Sequence, residues 1–571
     1  MVAGGITNLL TAIEIENFKA FGERQRIELR PITLLFGPNS GGKSSVTHAL
    51  HYLREVLLHR NLDAHRSRSG GESLDLGGIR NFVHGRKIGT AIRLKAEFTL
   101  SGAELPAYPW YGAEIEAELH EDATESVRGQ ISSAGVELEI DSEDRPTVRS
   151  CNVWLNGEHF AEFWMPRERP HAEVRRINWL HPCLLLDKAD REMATLHRAI
   201  LTMQAKLEEV YRAKGKDEEL ERLLKEKQDA ARDIPGALAS MYEQAGGTPA
   251  KDTVIVVPQP VGPVPHFESR IAVPATAGVG ASDTAQFEAL LSMLLFGPAV
   301  VLSDRLRELR YVGPLRTMPP RQFEPRDRSG RSRWSTGLQA WELLAHGQEM
   351  TPARREGEGS LLEEVSRWLE AEDRLDTGYR LEREEFKQVP SNIAAMVSDP
   401  EFIDRIEILA ETIKSLPDQA RIVLRDVGRN LLLQPQDVGV GLSQIVPVIV
   451  ALLDPGGPLV AIEQPELHLH PRQQAALGDA IIKGMTATPN RVLLIETHSE
   501  HVILRLLRRI RETSSGEGTR ETALRPERVS VLYVQPVGTN AVVTAIPVSA
   551  EGDFTRTWPN GFFAERVKEL L

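Results

Sequence analysis

The sequence predicts an α/β fold, a mixed sheet flanked by helices, and three stretches of the chain lead to this prediction. Residues 37–44, GPNSGGKS, form a glycine-rich turn between an apolar run at 32–36 and a stretch that can continue as a helix. Two further apolar runs, at 458–463 and 491–496, end in a glutamate. A strand, a glycine-rich turn and a helix in this order are the usual setting of a phosphate-binding loop.

The glycine-rich turn indicates where a nucleotide would bind. Its glycines allow backbone N–H groups to point inward at an anion, and the following helix adds the partial positive charge of its N-terminus. Lys43 would reach the β- and γ-phosphates of ATP, and the Ser44 hydroxyl would take one site on Mg²⁺. A glycine turn that precedes a helix by chance is the weaker alternative. The predicted nucleotide-binding residues of this loop are Gly37, Pro38, Asn39, Ser40, Gly41, Gly42, Lys43, Ser44 and Ser45.

The composition predicts a folded protein of a reducing compartment. The chain has 571 residues, enough for about three or four domain-sized units. Its two cysteines, Cys151 and Cys183, form no CxxC pair, which argues against a disulfide framework and a cysteine zinc site. The N-terminus lacks a signal-peptide pattern, and the apolar stretch at 289–302 is too short to span a bilayer. These features predict a cytoplasmic protein with no membrane partner.

The charge distribution leaves two interpretations open for contact with nucleic acid. The net charge of −13 argues against a protein coated in DNA or RNA but is compatible with a local basic groove. Nine arginines occur between residues 304 and 334, together with four acidic residues. This strip is either a solvated surface whose charges pair with one another or a surface that contacts phosphates, with equal weight. The arginines are Arg305, Arg307, Arg310, Arg316, Arg321, Arg326, Arg328, Arg331 and Arg333.

Periodicity along the chain predicts its organisation. Residues 11–29 alternate as two strands around a turn, and 90–163 and 421–433 contain further strands. Heptad spacing of apolar residues from 193 to 210, with a break at Gly215, predicts a helical hairpin that either projects or packs as two ordinary helices. The predicted segments are 1–100, an N-terminal lobe with the phosphate-binding loop; 101–187, a strand-rich insertion; 188–245, the hairpin; 246–420, a linker and helical region with the arginine strip; 421–530, a C-terminal lobe; and 531–571, a small C-terminal domain.

Four stretches near the C-terminus fit the same nucleotide, and one of them is the short segment 469–471, LHP, after the run that ends at Glu463. The apolar run that ends at Glu463 predicts a buried strand whose acid holds Mg²⁺, directly or through water, in preference to a core strand with a surface glutamate. The run at 491–496 leads into His498, whose imidazole N–H can reach a γ-phosphate. Glycines and Ser443 within 437–444 predict a helix start that binds an anion. The less favoured alternative for four histidines is a zinc site formed by His468, His470, His498 and His501.

The order of these motifs resembles that of the ABC-type ATPase heads of the SMC, RecF and OLD (overcoming lysogenisation defect) families. Residues 17–21, NFKAF, followed by GPNSGGKSS resemble their N-terminal lobe with the Walker A motif, and 440–444, VGLSQ, resembles their signature motif. Residues 462–471, IEQPELHLHP, resemble Walker B with the D-loop, and 496–499, ETHS, resembles the switch-histidine loop. Residues 311–316, YVGPLR, and 558–563, WPNGFF, resemble a bacterial subgroup with a small C-terminal domain. For 558–563, a hydrophobic plug on the head is favoured over a binding role.

The resemblance implies a P-loop ATPase that works as a dimer of heads. Two heads would sandwich two ATP molecules with Mg²⁺, so that the phosphate-binding loop of one chain faces the signature motif of the other. The signature residues implied to contact the nucleotide are Gly441, Ser443 and Gln444. The implied metal ligands are Ser44 and Glu463.

One position departs from the pattern of these families. The residue after the Walker B acid is usually a glutamate that orients the attacking water, and here it is Gln464. A glutamine can orient water but cannot accept its proton, so hydrolysis is expected to be slow or to use Glu466 or Glu496. The predicted catalytic residues are Glu463, Gln464, Glu496 and His498.

Three functions are compatible with this sequence. The favoured one is a dimeric ATPase that acts on DNA, or drives a separately encoded nuclease or toxin, with a role in bacterial DNA repair or anti-phage defence implied by resemblance alone. The alternative is a slow or non-hydrolysing ATP-dependent switch that gates such an effector. An intrinsic nuclease is disfavoured because only about 70 residues follow His498 and they contain no DxD pair.

Overall fold

The computed structural model describes most of both ends of the chain and parts of its middle. The described residues are 10–65, 75–101, 104–108, 127–143, 146–165, 173–178, 181–184, 255–256, 271, 281–321, 333–346, 359–391 and 406–559. The predicted hairpin at 188–245, most of the linker at 254–280 and residues 560–563 of the C-terminal motif lie outside the described residues.

Strands and helices are distributed over the whole described chain. The strands are β1 (Leu10–Glu16), β2 (Gln25–Glu28), β3 (Ile32–Phe36), β4 (Ile92–Thr99), β5 (Ser133–Ile140), β6 (Val148–Leu155), β7 (Glu158–Trp164), β8 (Glu173–Ile177), β9 (Ile255–Val256), β10 (Arg310–Val312), β11 (Tyr379–Lys387), β12 (Asp418–Asp426), β13 (Leu431–Leu433), β14 (Leu459–Glu463), β15 (Val492–Glu496), β16 (Val529–Val537) and β17 (Asn540–Ala545). The helices are α1 (Lys43–His59), α2 (Ile79–Phe82), α3 (Ala281–Arg307), α4 (Leu338–His346), α5 (Leu361–Glu370), α6 (Ile406–Ser415), α7 (Val440–Leu453), α8 (Pro471–Ala487) and α9 (Glu500–Ser514).

The chain divides into two compact units. One contains residues 9–90 and 305–571, and the other contains residues 1–8 and 91–304. Every candidate nucleotide-binding residue from the sequence lies in the first unit, which is therefore called the head unit. The division requires residues separated by more than 200 positions to fold together in the head unit.

The head unit is built on a six-stranded mixed sheet with the order β10-β14-β15-β3-β16-β17. Strands β10, β14, β15, β3 and β16 pair in parallel, and β17 pairs antiparallel to β16. All residues of β3, β14 and β15 are buried. Continuous apolar runs of this kind are typical of parallel strands covered on both faces. The predicted α/β fold with a mixed sheet is confirmed.

Helices of the head unit bury apolar faces in one core with this sheet. Helix α7 is buried from Leu442 to Leu453, and α9 buries residues at helical spacing on one side. Those residues of α9 are Val502, Ile503, Leu506, Leu507 and Ile510.

Trp558 is 9% exposed and packs edge-on against Phe36, the last residue of β3, as well as Tyr533 and Phe554. The packing of Trp558 agrees with the hydrophobic plug predicted for 558–563, of which 560–563 lie outside the described residues.

A second sheet of the head unit contains a strand that hydropathy does not predict. Strand β11 pairs antiparallel with β12, and β12 pairs with β13. Its sequence, YRLEREEFK, is mostly charged, so it lacks an apolar alternation. Ion pairs with β12 compensate, since Arg425 pairs with Glu382 and Arg421 with Glu384. These cross-strand pairs cannot be identified from the sequence alone, because they depend on the register between the two strands.

The other unit carries an antiparallel sheet and a long helix. Strands β4 to β9 pair in sequence order, which confirms the strands predicted for 90–163. Within α3, residues Glu288–Arg307 are apolar and long enough to cross a membrane, with a mean hydropathy of 1.5. However, 67% of that window is buried inside the molecule, which is also typical of the core helix of a soluble protein.

The arginine strip is largely paired within the chain. Arg310 pairs with Asp454, Arg321 with Asp437, and Arg333 with Glu342. Arg316 is 4% exposed. Asp454, Asp437 and Glu342 lie outside the strip, so these three arginines pair with other segments of the chain. The ion pairs disfavour a continuous phosphate-contacting surface. Arg326, Arg328 and Arg331 lie outside the described residues.

Candidate nucleotide-binding site

The phosphate-binding loop has a backbone that only glycine permits at two positions. Gly37 has φ 143° and Gly42 has φ 104°, both in the region that side chains rarely adopt. A Cβ at Gly37 would lie 2.0 Å from the Val534 carbonyl O, and one at Gly42 would lie 2.7 Å from the Ala20 Cβ. The loop thus curls tightly between β16 and the turn after β1, and α1 begins directly after it at Lys43.

Lys43 and Ser44 both contact one carboxylate. The Lys43 ammonium donates to the carbonyls of Gly37 (3.2 Å) and Pro38 (2.9 Å) and lies 3.6 Å from Oε1 of Glu496. The Ser44 hydroxyl donates to Oε2 of Glu496 at 2.7 Å. Burial lowers the pKa of Lys43, and the charge of Glu496 opposes this shift. The Glu496 carboxylate is therefore an anionic group in contact with the two side chains predicted to bind phosphate and Mg²⁺. The chemistry of this site fits both a phosphate group and Mg²⁺.

Two acidic side chains lie next to each other at the carboxyl ends of β14 and β15. Glu463 and Glu496 are register partners in this parallel pair. Glu463 is 6% exposed, and its pKa is raised to about 7, first by burial and then by the charge of Glu496. The Tyr311 hydroxyl donates to Oε1 of Glu463 at 3.1 Å. Glu463 can therefore exchange a proton near neutral pH when no cation is bound beside it.

The turn after β14 is held by contacts to the neighbouring strand. Gln464 has φ 45°, and its N–H donates to the Glu496 carbonyl at 2.7 Å. Glu466 accepts hydrogen bonds from the Thr497 hydroxyl (2.9 Å) and the His498 N–H (2.7 Å). Of the two carboxylates predicted to replace the missing glutamate, Glu496 contacts the phosphate-binding loop, while Glu466 holds the switch-histidine loop.

His498 is half-buried, and one of its ring nitrogens is available to a ligand. Its Nε2 is buried and has no hydrogen-bond partner among the described residues. Burial and the charge of Lys43 lower its pKa, so the ring is neutral at physiological pH. A neutral imidazole has one N–H donor, which suits a phosphate oxygen. Ser499 then caps α9 by accepting from the Val502 N–H at 3.1 Å.

The predicted signature motif forms the first turn of α7. Ser443 is 1% exposed, and its hydroxyl donates to the Pro435 carbonyl at 3.3 Å. Gln444 binds the backbone of Arg316. A Cβ at Gly441 would lie 2.6 Å from the His468 carbonyl O, so the helix approaches the D-loop closely there. In this single chain, the signature residues thus contact the Walker B side of the head.

Three further residues of the site are absent from the nucleotide-binding, metal-binding and catalytic residues predicted from the sequence. Tyr311 and Arg316 contact the Walker B segment, and Lys19 lies with its Nζ 2.6 Å from Nδ1 of His48. Burial lowers the pKa of Lys19 to about 8. The motif at 311–316 is visible in the sequence as a resemblance. Its contact with Glu463 becomes visible only through the pairing of β10 with β14.

The histidines near the C-terminus do not form a metal centre in the described part of the chain. Across the described ranges, no group of three or more His, Cys, Asp or Glu side chains could hold a metal ion. The His470 side chain instead caps α8 by accepting from the Arg472 N–H. The zinc alternative therefore has no support from these residues.

A phosphate-binding loop between β3 and α1, with acids at the ends of adjacent parallel strands, defines a P-loop NTPase fold. Residues 303–504 match the family model described as "AAA domain, putative AbiEii toxin, Type IV TA system", and residues 12–235 match the one described as "AAA domain". Each match covers less than half of the chain, and both family models describe an AAA domain. No curated protein matches this sequence.

Among solved structures, the chain is similar to SMC head domains. The head from Thermotoga maritima has 9% identity over 95% of this chain and 99% of that chain, with a TM-score of 0.33. The head with a coiled coil and joint from Pyrococcus yayanosii has 10% identity over 96% and 98%, with a TM-score of 0.36. An SMC head bound to the C-winged helix domain of ScpA has 9% identity over 94% and 98%, with a TM-score of 0.37. TM-scores this low support no conclusion about activity or partners.

Proposed function

We propose that this protein binds ATP with Mg²⁺ and hydrolyses it as an ABC/SMC-like ATPase that forms head-to-head dimers. One observation carries the proposal: Lys43 and Ser44 both contact Glu496 at the end of β15, and Glu463 at the end of β14 is the register partner of Glu496. A lysine, a hydroxyl and an acid converging at a glycine-rich loop are the groups that bind nucleotide phosphates and their metal.

Different residues of this chain bind the phosphates and the metal ion. The loop N–H groups and Lys43 hold the phosphates, and Ser44 and Glu463 hold Mg²⁺. The metal, when bound, neutralises negative charge that develops on the phosphate oxygens. Glu496 gives up its contacts with Lys43 and Ser44 as the phosphates enter, and it remains beside Glu463 as a second carboxylate. The neutral ring of His498 donates a hydrogen bond toward the γ-phosphate.

Hydrolysis in this site requires a proton acceptor other than Gln464. The Gln464 side chain orients the attacking water but cannot take its proton. Glu496 is the better placed of the two candidates because its carboxylate already contacts the phosphate-binding loop. Glu466 is committed to Thr497 and His498, and it acts as a positioning residue for the switch-histidine loop.

The dimer places the signature motif of one chain against the nucleotide of the other. Gly441, Ser443 and Gln444 lie at the N-terminal turn of α7, whose partial positive charge suits a phosphate. Two exposed apolar side chains flank this turn, Leu315 with 82% and Val440 with 49% exposure. Burying such side chains favours association of two heads. The dimer would act on DNA, or drive a separately encoded nuclease or toxin, in bacterial DNA repair or anti-phage defence.

A second function is favoured by one residue. With Gln464 at the water-orienting position, turnover can be so slow that ATP binding itself is the signal. The protein would then be an ATP-dependent switch that dimerises and gates a partner nuclease or toxin. The two functions share the binding site and differ only in the rate of hydrolysis.

The test is steady-state phosphate release from ATP, with and without duplex DNA, alongside direct measurement of ATP binding. Lys43→Ala is the control because it removes the ammonium that holds the phosphates. Turnover above this control, stimulated by DNA, supports an ATPase that acts on DNA. Binding without turnover supports the switch. Equal ATP binding by the wild type and Lys43→Ala would refute both.

Dimerisation is measured separately by sedimentation velocity with ATP and Mg²⁺. The wild-type protein is expected to dimerise with ATP and to be monomeric without nucleotide. Leu315→Asp introduces a charge on the proposed interface and is expected to abolish the dimer while retaining ATP binding. A Leu315→Asp protein that dimerises as the wild type does would place the interface elsewhere.

A further inference from the structure

Residues 311–316 connect the signature helix to the Walker B segment of the same chain. This connecting segment starts in β10, which pairs in parallel with β14. Its side chains contact the Walker B acid and the following turn, and its backbone contacts α7. The proposed binding of ATP by itself assigns no role to this connecting segment.

Arg316 holds the peptide at which β14 ends. Its Nη2 donates to the Glu463 carbonyl at 2.6 Å and to the Gln464 carbonyl at 3.2 Å. Gln464 has a left-handed φ of 45°, a conformation that costs energy for a residue other than glycine. By binding both carbonyls, Arg316 stabilises this turn and sets the direction in which the Gln464 side chain leaves the backbone.

Gln444 fixes the backbone of Arg316 to the signature helix. Its Oε1 accepts from the Arg316 N–H at 3.2 Å, and its Nε2 donates to the Arg316 carbonyl at 2.6 Å. This reciprocal pair is buried, with Gln444 7% exposed. Two hydrogen bonds in one plane leave the side-chain amide little freedom to move relative to the backbone. A displacement of α7 is therefore transmitted to Arg316.

Tyr311 makes the second contact, to the metal-binding acid itself. Its hydroxyl donates to Oε1 of Glu463, and its ring packs edge-on against His51 of α1, with 4.9 Å between ring centroids. The tyrosine is thus held between the Walker B acid and the helix that follows the phosphate-binding loop. It restricts the rotation of the Glu463 carboxyl group.

Arg316 differs from Arg491, another buried arginine of the head unit, in how many of its guanidinium nitrogens have a partner. Arg491 is 1% exposed, and all three of its guanidinium nitrogens donate to backbone carbonyls. In Arg316, Nε and Nη1 are buried without a partner among the described residues. The fold leaves part of the hydrogen-bonding capacity of Arg316 unused, next to the position where water would be oriented.

We propose that Tyr311 and Arg316 are positioning residues for ATP hydrolysis, which couple the signature helix to Glu463 and Gln464 of the same chain. When α7 binds the nucleotide held by a second chain, its shift moves Arg316 and with it the turn that carries Gln464. The water-orienting residue of one site thereby responds to occupancy of the other. This inference rests on the proposed ATPase function.

The experiment compares kcat with equilibrium ATP affinity in Arg316→Lys, Tyr311→Phe and the control Arg491→Lys. Arg316→Lys keeps the charge but loses the planar contact with two carbonyls, and Tyr311→Phe loses only the hydroxyl. Both are expected to lower kcat by about tenfold or more, because small misplacements of catalytic groups are costly. Their dissociation constants for ATP are expected to stay within about threefold of the wild type. Arg491→Lys is expected to lower the melting temperature while its kcat stays within about twofold.

The outcomes separate this inference from the proposed function. Unchanged kcat in Tyr311→Phe and Arg316→Lys would overturn the inference and leave ATPase activity intact. The same loss of kcat in Arg491→Lys would also overturn it, since the effect would then follow stability. A wild type that binds ATP but turns over no faster than Lys43→Ala would overturn it and leave the switch function. Absence of ATP binding by the wild type would overturn both. If Arg316→Lys does not fold, Tyr311→Phe decides the question alone.

Discussion

Glu463 and Glu496 are register partners at the carboxyl ends of two parallel strands. Register partners in a parallel pair extend from the same face of the sheet, so both carboxylates lie on one side beside the phosphate-binding loop. Glu496 contacts Lys43 and Ser44, and Glu463 contacts Tyr311. The site thus contains two acids with different partners, and four predictions follow from that difference and from the packing around it.

The first prediction concerns the pH dependence of Mg²⁺·ATP binding. The pKa of Glu463 is raised to about 7 in the free protein. A cation beside the carboxylate favours its ionised form, so binding at pH 6 must release a proton that binding at pH 8 does not. Affinity is therefore expected to weaken by up to about tenfold from pH 8 to pH 6. Calorimetry in buffers of different ionisation enthalpy measures the protons released.

The matched variant for that measurement is Glu463→Gln. ATP itself takes up protons in this range, and its contribution is present in both proteins. The difference between the wild type and Glu463→Gln therefore isolates the carboxyl group. The interpretation is wrong if Glu463→Gln releases as many protons at pH 6 as the wild type does.

The second prediction separates the two candidate proton acceptors. Glu496→Gln is expected to lower kcat by about a hundredfold, because general-base catalysis contributes about that much or more. Glu466→Gln removes the acceptor charge at the Thr497 hydroxyl and the His498 N–H and is expected to act through the position of His498. The kcat of Glu466→Gln and the kcat of the double variant Glu466→Gln/His498→Ala should therefore be lower than that of the wild type by a similar factor. If neither glutamate variant changes turnover, both assignments are abandoned.

The third prediction is a change in stability at the buried ion pair. The side chains of Lys43 and Glu496 are 3% and 7% exposed. Lys43→Met leaves the carboxylate buried without its ammonium, which is expected to lower the free energy of unfolding by about 3 kcal/mol. Adding Glu496→Gln removes the uncompensated charge and should recover part of that loss. Urea unfolding of the wild type, the two single variants and the double variant measures the coupling energy between Lys43 and Glu496. Strictly additive effects of the two substitutions would show that the two side chains are not coupled.

The fourth prediction tests the close approach of α7 to the D-loop. A Cβ at Gly441 would lie 2.6 Å from the His468 carbonyl O, whereas one at Gly439 would have nothing within 4 Å. Gly441→Ala is expected to push the signature turn away from the D-loop and to lower ATP turnover by about tenfold or more. Gly439→Ala is the control and should lower stability by at most about 1 kcal/mol, as a weaker helix cap. Equal turnover in the two variants would contradict the close packing.

Local patterns predict the phosphate-binding loop and the buried strands of the six-stranded sheet well because each is encoded within a few consecutive residues, whereas the charged strand β11 has no such pattern. In the loop at 37–44, the positive φ angles of Gly37 and Gly42 are by themselves enough to require glycine at these two positions. The apolar runs of β3, β14 and β15 are continuous because parallel strands are covered on both faces. The assignment of Glu463 to the end of a buried strand follows from such a run. The roles of the predicted site residues stay predictions, as do the predicted segment boundaries and the hairpin.

The sequence by itself therefore determined the fold class, the phosphate-binding loop and the acids at the strand ends, since these depend on local backbone conformation and on burial of contiguous apolar residues. Only the tertiary structure decided that Glu496 contacts Ser44, 452 residues away, and that Arg316 binds the carbonyl of Glu463, 147 residues away. It also decided which of two candidate carboxylates is committed to the switch-histidine loop. Side-chain contacts of this kind depend on strand order and register across the whole head unit, which no local stretch of sequence specifies.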